Sequence, residues 1–218
     1  MLRLEVLTPE MERLAPALCG SLSGMPFTLA GGTALALQLG HRISVDFDWF
    51  CSQDILPFRL GERFAAFGLG WTSIQDTVHT FECLLAGVRC SFFSFRPRFE
   101  PASVSLHGMP LAPVLDIGAM KLVAISQRGA RKDFYDLFEI LRDRSLADIA
   151  RRLRAMYTDP PPNPVHVAKS LVYFADAEDE PEPRMLSSTQ WGEVKAYFTR
   201  HSREYTDILI EEVALRTE

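Results

Sequence analysis

The sequence has few cysteines, no long apolar run and no excess of basic residues. The four cysteines show neither CxxC nor Cys/His ligand spacing (Cys19, Cys51, Cys83 and Cys90), which argues against a zinc site and a disulfide framework. No apolar run approaches the roughly 18 residues of a membrane span. The first residues also lack the apolar core of a signal peptide. We therefore expect a cytoplasmic protein with reduced structural thiols and no membrane association.

The charge of the chain is mildly negative and unevenly distributed. Among 218 residues, 23 basic and 28 acidic side chains give a net charge of −5, which excludes a bulk nucleic-acid-binding protein. Residues 113–157 carry nine basic and six acidic side chains, whereas residues 175–218 carry five basic and eleven acidic ones. Most of these charges are expected to solvate helix surfaces. The alternative is a basic wall over an anionic ligand.

Hydrophobic periodicity predicts an α+β fold in two parts. Period-two alternation, which is typical of strands, occurs over 44–50 and in a hairpin formed by 81–85 and 88–95, and a last strand is predicted around 104–109. From Val114 onward the period changes to 3.6, which is typical of helices. We therefore predict an α/β domain over 1–112 and a helical domain over 113–218. Helices are predicted in the second domain over 115–126, 132–142, 146–156, 164–174 and 191–215.

A pair of aspartates and a glycine turn form the most informative motif. Asp46 and Asp48 are two residues apart on a predicted strand, so their side chains project from one face, with Cα atoms about 6.5–7 Å apart. This spacing suits one or two divalent cations, although such a pair is more often structural. Upstream, Gly31 and Gly32 at a strand-to-helix turn allow backbone N–H groups to approach an anion. The Thr33 hydroxyl could cap this helix or contact a phosphate. Together these residues predict a phosphate cradle facing a metal site.

A second group of charged residues lies on the predicted helices of the second domain. Lys121 and Arg128 are seven residues apart and share a helix face, as do Asp133 and Asp136, which are three apart. Two cations could thus line one wall of a cleft. The alternatives are that Lys121 is an ordinary surface lysine, and that the two aspartates serve as a helix cap and as a salt-bridge partner of Arg131 or Lys132.

Two longer segments carry a family resemblance. The first is 29–37 with 41–48; the second is 116–125 with Arg128 and 131–137. In this order they resemble the two signatures of the AbiEii/AbiGii-type nucleotidyltransferases. These enzymes belong to the DNA polymerase β-like superfamily and are often the toxins of toxin–antitoxin pairs. The resemblance implies a polymerase β-like core, with a mixed sheet flanked by helices, followed by a C-terminal helical bundle.

The resemblance also implies an activity, ligands and partners. The implied activity is the transfer of a nucleotidyl group from an NTP to an acceptor, which is an RNA (such as tRNA) or a protein. The implied cofactor is Mg²⁺ or Mn²⁺, and the implied partner is a cognate antitoxin. An RNA acceptor would be held by the basic stretch from Lys121 to Arg154, which we expect to face the metal site. The implied catalytic residues are Asp46, Asp48, Lys121 and Asp133, of which Asp46 and Asp48 hold the metal. The implied nucleotide-binding residues are Gly31, Gly32, Thr33, Lys121 and Arg128.

Four further residues are expected to support this site. They are Arg42, Arg131, Lys132 and Asp136. Arg42 is expected to pair with a carboxylate and so anchor the strand of Asp46. Asp136 would organise the site together with Asp133. Asp116 is expected to cap the helix of Lys121.

One feature departs from the superfamily pattern. A third metal-binding carboxylate is often found on a neighbouring strand, but the hairpin strand 88–95 contains no acid. Ser91 lies where the acid is expected, and Glu82 is the nearest substitute. The alternative function is therefore a catalytically inactive relative that binds a nucleotide or a protein partner. The nearby phenylalanines (Phe92, Phe93, Phe95 and Phe99) are expected to pack in the core or at its edge rather than to stack on bases.

Overall fold

The computed structural model describes residues 1–95, 99–158 and 160–214. The chain divides into two units, Met1–Pro113 and Val114–Glu218, which are described separately. All four cysteines are free and buried, and burial raises the pKa of Cys19 and Cys83 to about 12. These thiols are therefore unreactive structural groups at neutral pH.

The first unit is built on a five-stranded mixed sheet with the strand order β1-β2-β5-β4-β3. Strands β2 and β5 are parallel, and the other neighbours are antiparallel. The strands are β1 (Thr28–Ala30), β2 (Asp46–Cys51), β3 (Trp71–Asp76), β4 (Thr80–Leu85) and β5 (Val88–Ser94). The helices are α1 (Pro9–Leu22), α2 (Gly31–Leu39) and α3 (Pro57–Ala66), preceded by a 3₁₀ turn at Leu4–Val6. The predicted mixed sheet flanked by helices is confirmed.

A short hairpin replaces one predicted strand. Instead of a single strand near 104–109, the structure has β6 (Ser105–Leu106) and β7 (Met109–Pro110) in a separate antiparallel pair. His107 and Gly108 between them have φ values of 46° and 86°. This left-handed backbone reverses the chain, which alternation alone does not reveal.

One face of the large sheet carries the core of the first unit. Along β2, Phe47, Trp49 and Cys51 are buried, whereas the residues between them are only partly buried. Trp49 lies beside Phe92 of β5, which lies beside Phe81 of β4. The Phe92 ring centroid is 5.4–6.0 Å from those of three other phenylalanines, Phe27, Phe64 and Phe81. Since Phe64 belongs to α3, this helix covers the apolar face.

The opposite face presents three rows of side chains across the strands, because residues paired across strands project to the same side. In order from β1 to β4, the first row is Thr28, Phe50, Phe93 and Thr80. The second row is Ala30, Asp48, Ser91 and Glu82. The third row, which begins at β2, is Asp46, Arg89 and Leu84. These rows fix the neighbours of the aspartate pair.

The second unit is helical throughout its described part. Its helices are α4 (Val114–Arg128), α5 (Arg131–Leu141), α6 (Leu146–Met156), α7 (Pro164–Ser170), α8 (Ala175–Glu178) and α9 (Trp191–Ala214). Helix α4 packs against α5, α6 and α7, and α9 packs against the same three helices. Among the described residues, no helix is long and apolar enough to cross a membrane.

Two predicted helix ends differ from the structure or lie outside it. The helix predicted over 164–174 ends at Ser170 and is followed by a turn and the short α8. Because Leu171 in this turn is also buried, the apolar spacing continues past the end of the helix. The predicted end of the last helix at Leu215 lies outside the described residues.

We expect the Phe92→Ala substitution to lower the free energy of unfolding by about 3–5 kcal/mol, because it removes the ring on which the aromatic core converges. Phe58 on α3 is a matched control, since 76% of its surface is exposed. The Phe58→Ala change should stay within about 0.5 kcal/mol. Urea titration followed by circular dichroism measures both values. Equal stabilities of the two variants would contradict this assignment of the core.

Candidate functional site

The aspartate pair is held on the open face of the sheet by the residues between its members. Asp46 and Asp48 are partly buried on β2, and Phe47 and Trp49 are fully buried on the other face. Since successive side chains of a strand point to opposite faces, burial of the aromatic residues directs both carboxylates away from the core. The structure therefore places Asp46 and Asp48 on one face, about 6.5–7 Å apart at Cα by the strand rise.

The glycine turn lies directly against Asp48. Helix α2 begins at Gly31, whose φ is +64°, and Gly32 is buried in its first turn. A Cβ atom on Gly31 would lie 2.6 Å from Oδ2 of Asp48. Only glycine therefore permits both this backbone conformation and this approach. The positive end of the α2 dipole and one carboxylate thus occupy the same small region, which suits a phosphate that carries a cation.

Thr33 holds the helix against the strand instead of capping it. Its buried hydroxyl donates to the backbone carbonyl of Asp46 and lies 2.6 Å from the Ser44 hydroxyl. The N-cap residue is Ala30, with no side-chain cap, so the predicted capping role of Thr33 is wrong. The helix starts three residues earlier than a Thr33 cap requires, which turns the hydroxyl inward. Thr33 is therefore a positioning residue for β2.

The neighbouring strands add an arginine and a glutamate to the aspartate pair. Arg89 lies beside Asp46, and its guanidinium forms a salt bridge with Glu82 of β4. The hydrogen bond to Glu82 raises the pKa of Arg89, and the charges of Asp46 and Asp48 add to this shift. Sequence reasoning missed Arg89, because only the parallel pairing of β2 with β5 brings it next to the aspartates.

The predicted position of a third carboxylate is occupied by Ser91. In the second row, Ser91 of β5 lies between Asp48 of β2 and Glu82 of β4. Glu82 is therefore two strands away from the aspartates. Within residues 1–95, 99–158 and 160–214, no three Asp, Glu, His or Cys side chains are grouped as metal ligands. The site thus offers a cation two carboxylates, the hard oxygen donors that Mg²⁺ and Mn²⁺ prefer. Mg²⁺ is commonly held by one or two carboxylates plus substrate phosphates, so these residues fit it.

In the second unit, a charged cluster joins α4 to α5. The Lys121 ammonium lies 2.6 Å from a carboxylate oxygen of Asp133 and 2.6 Å from one of Asp136. Arg128 binds the other oxygen of Asp133 at 2.8 Å. The side chain of Lys121 is 6% exposed and that of Arg128 is 58% exposed. The predicted shared faces are thus found, but Lys121 is a buried partner of two acids rather than a surface lysine.

The partners of Asp133 differ from those expected from its sequence neighbours. Arg131 and Lys132 adjoin it in the chain, but adjacent helical residues point in different directions. Arg131 instead donates to the backbone carbonyls of Ala177 and Glu178, and Lys132 is exposed. Burial raises the pKa of Asp133, but the charges of Lys121 and Arg128 outweigh burial, so its pKa lies below the ordinary value.

Other predicted supporting residues are buried in ion pairs or hydrogen bonds. Arg42 is buried and donates to the backbone carbonyl of Ile43 at 3.2 Å. Asp116, in the first turn of α4, forms a salt bridge with Arg152 of α6. The carboxylate of Asp116 therefore links two helices.

Several cations of the basic stretch are matched by nearby carboxylates. The pairs are Arg128 with Asp133, Arg142 with Glu139, Arg151 with Asp148 and Glu212, and Arg152 with Asp116. Because these cations are paired, the basic stretch from Lys121 to Arg154 offers less positive charge to a ligand than its sequence suggests. It favours the interpretation that most of these charges serve helix surfaces and helix contacts.

Comparisons with known proteins agree with this architecture. The model of a family described as nucleotidyl transferase AbiEii toxin, type IV TA system, matches residues 14–82 and 86–209. The uncharacterized protein aq_aa25 of Aquifex aeolicus (strain VF5) is 35% identical over 188 residues, which cover 83% of this chain and 88% of that protein.

Two solved structures share the fold. The first is an H. pylori protein proposed to be a nucleotidyltransferase, with a TM-score of 0.57, 20% identity, and coverage of 92% of this chain and 95% of that chain. The second is MenT4, the nucleotidyltransferase toxin Rv2826c from Mycobacterium tuberculosis H37Rv, with a TM-score of 0.55 and 16% identity. This match covers 93% of this chain and 92% of MenT4.

We expect Lys121→Met to lower the free energy of unfolding at pH 7 by about 3–5 kcal/mol, because it leaves buried carboxylates without their ammonium partner. The pKa of Asp133 lies below its ordinary value of 3.8 in the folded protein, so the ionised Asp133 stabilises the fold at pH values above 3.8. This contribution is lost as the pH falls through the folded-state pKa. The deficit of Lys121→Met should therefore shrink at acidic pH.

Urea titrations at several pH values between about 3 and 7 measure this deficit. The exposed Lys132 is the matched control, and Lys132→Met should change stability by less than about 0.5 kcal/mol. A deficit that is equal for the two lysines, or constant with pH, would contradict the buried ion-pair assignment.

Proposed function

The chain belongs to the AbiEii family of nucleotidyl transferase toxins, and we propose that it transfers a nucleotidyl group from an NTP to an acceptor nucleophile on RNA or protein. The observation that carries this proposal is the contact between the Gly31 turn and Asp48, with Asp46 on the same open sheet face. It joins a helix N-terminus, which attracts phosphate, to a carboxylate pair, which attracts a divalent cation.

The reaction depends on positioning and on neutralising charge. The acceptor nucleophile attacks the α-phosphorus, the bond to the bridging oxygen breaks, pyrophosphate leaves, and the acceptor loses its proton. When bound by Asp46 and Asp48, Mg²⁺ or Mn²⁺ would neutralise phosphate charge. The first-turn N–H groups at Gly31 and Gly32 would donate to a phosphate oxygen. Thr33 and Ser44 support this arrangement by fixing α2 to the backbone of Asp46.

We assign the charged cluster of the second unit a supporting role in this reaction. Lys121 balances Asp133 and Asp136, and this buried network fixes the carboxylate that binds Arg128. Because the Arg128 side chain is 58% exposed, it is the cation of the cluster that an anionic ligand can reach. The implied nucleotide-binding role of Lys121 is thus proposed to be indirect, through the orientation of Arg128.

As a family toxin, the protein would act in the cytoplasm on an RNA such as tRNA and would be restrained by a cognate antitoxin. A second function is a nucleotide-binding relative without transferase activity. Ser91 in place of a third carboxylate, and the salt bridge that engages Glu82, favour this alternative. Binding of NTP without transfer would distinguish it from the first proposal.

We expect Asp46→Asn to reduce transfer at least 100-fold while the fold stays intact, because one of two metal-binding carboxylates is lost. The assay incubates the protein with each labelled NTP, Mg²⁺ and total RNA, and follows labelled products. Asp54, an exposed acid in the loop after β2, is the matched control, and Asp54→Asn should keep the wild-type rate. Wild-type activity in Asp46→Asn would exclude this mechanism.

We also expect Gly31→Ala to reduce transfer about 100-fold, because its Cβ would displace the Asp48 carboxylate. Gly24 is the matched control, since its φ of +78° imposes similar backbone strain but no atom lies within 4 Å of an added Cβ. Both variants should lose about 1–2 kcal/mol of stability. If Gly24→Ala impairs transfer as strongly, backbone strain rather than the Asp48 contact explains the effect.

A further inference from the structure

An exposed arginine lies beside the aspartate pair on the open face of the sheet. Arg89 of β5 is the direct neighbour of Asp46 in the third row, and neighbouring strands are about 4.8 Å apart. The two side chains therefore project from the same face. Since Arg89 is exposed, a ligand on this face can reach its guanidinium.

The salt bridge with Glu82 directs the guanidinium along the sheet. Arg89 is paired with Leu84 on β4, whereas Glu82 lies two residues before Leu84 on that strand. Because Glu82 belongs to the second row, the salt bridge runs diagonally from the third row to the second, which is the row of Asp48. The arginine thus leans from the level of one aspartate toward the level of the other. The charges of both aspartates raise the pKa of Arg89, which agrees with this position.

Glu82 orients the arginine but leaves it able to bind a ligand. The Glu82 side chain is 14% exposed, whereas that of Arg89 is 54% exposed, so the acid is the more buried member of the pair. The bond from Nη2 of Arg89 to the Glu82 carboxylate uses one of the five N–H donors of the guanidinium. An arginine that is already oriented also loses less conformational entropy when it binds an anion.

The aspartate pair lies between two groups that attract phosphate. In the order of the strands, β1 is on one side of β2 and β5 is on the other. Helix α2 follows β1 directly, and its first residue, Gly31, lies against Asp48. Arg89 is on the β5 side. The positive end of the α2 dipole and the guanidinium therefore flank the carboxylates from opposite sides.

We propose that Arg89 binds the triphosphate of the NTP in the reaction proposed above, on which this inference rests. A guanidinium pairs with two phosphate oxygens through two parallel N–H donors. A triphosphate carries several anionic oxygens, so one can meet the Gly31 turn while another meets Arg89. The bound guanidinium neutralises charge on the phosphates, which is what phosphoryl transfer requires of a protein cation. Glu82 is then a positioning residue for Arg89.

The test compares inorganic tripolyphosphate with each NTP, both in the presence of Mg²⁺, by calorimetry. We expect Arg89→Met to weaken binding of both ligands about tenfold or more, because a charge-assisted hydrogen bond to phosphate is lost. The factor should be the same for the two ligands, since the contact is to phosphate and not to the base. Arg89→Lys, which keeps the charge but not the planar fork, should lose less affinity than Arg89→Met.

Two further variants separate phosphate binding from the loss of a salt bridge. Glu82→Gln breaks the same salt bridge but keeps the guanidinium, so it should change tripolyphosphate affinity by less than about threefold. Arg13 of α1 is the matched control, because its exposed guanidinium also forms a salt bridge with a glutamate, Glu10. Arg13→Met should change neither affinity. Thermal unfolding checks the fold, and Arg89→Gln replaces Arg89→Met if that variant unfolds.

The outcomes separate this proposal from the proposed function. Arg89 is not a phosphate ligand if Arg89→Met keeps wild-type tripolyphosphate affinity, if it weakens NTP binding alone, or if Glu82→Gln has an equal effect. In these three cases the proposed function stands and is decided by the transfer assay. If tripolyphosphate binding depends on Arg89 but the wild-type protein transfers no NTP, the proposed function fails and the phosphate site stands. If the wild-type protein binds neither ligand, both proposals fail.

Discussion

The alternation of side chains along β2 is the constraint on which the first unit depends. Phe47 and Trp49 are fully buried on one face, so Asp46, Asp48 and Phe50 must lie on the other. A shift of one residue in register would drive both carboxylates into the core and expose both aromatic rings. The hydrophobic effect that stabilises this sheet therefore also places the charged groups. No separate interaction is needed to keep the two carboxylates on the same side.

The position of α2 is set by small residues and short polar contacts rather than by charge. Thr33 and Ser44 tie the helix to the Asp46 backbone, and the missing side chain of Gly31 lets the first turn contact Asp48. A buried hydroxyl with its hydrogen bonds made loses little on folding, whereas one left unpaired is costly. This network thus holds the helix N-terminus beside the carboxylates without adding a further charge to the site.

The features that depend on neighbouring residues in the chain could be predicted from sequence, and those that depend on strand order or helix packing could not. The common face of Asp46 and Asp48 follows from a period of two, and the mixed sheet follows from the family signatures. The row that joins Asp48 to Ser91 and Glu82 requires the order β2-β5-β4, which is not local. In the same way, Asp133 binds Lys121 twelve residues away rather than its adjacent cations. Alternation separates Phe92 from Phe93, but only the packing of α3 decides which of them is buried.

The two charged groups differ in how their charge is balanced. In the second unit, Lys121 and Arg128 are matched by Asp133 and Asp136, so the cluster is neutral and stabilises two helices. In the first unit, Arg89 forms a salt bridge with Glu82, and the negative charges of Asp46 and Asp48 raise the pKa of Arg89 further. Asp133 and Asp136 are fully buried, whereas Asp46 and Asp48 are only partly buried on the open face of the sheet. The acids of the second unit are therefore neutralised inside the helical packing, whereas those of β2 remain partly accessible.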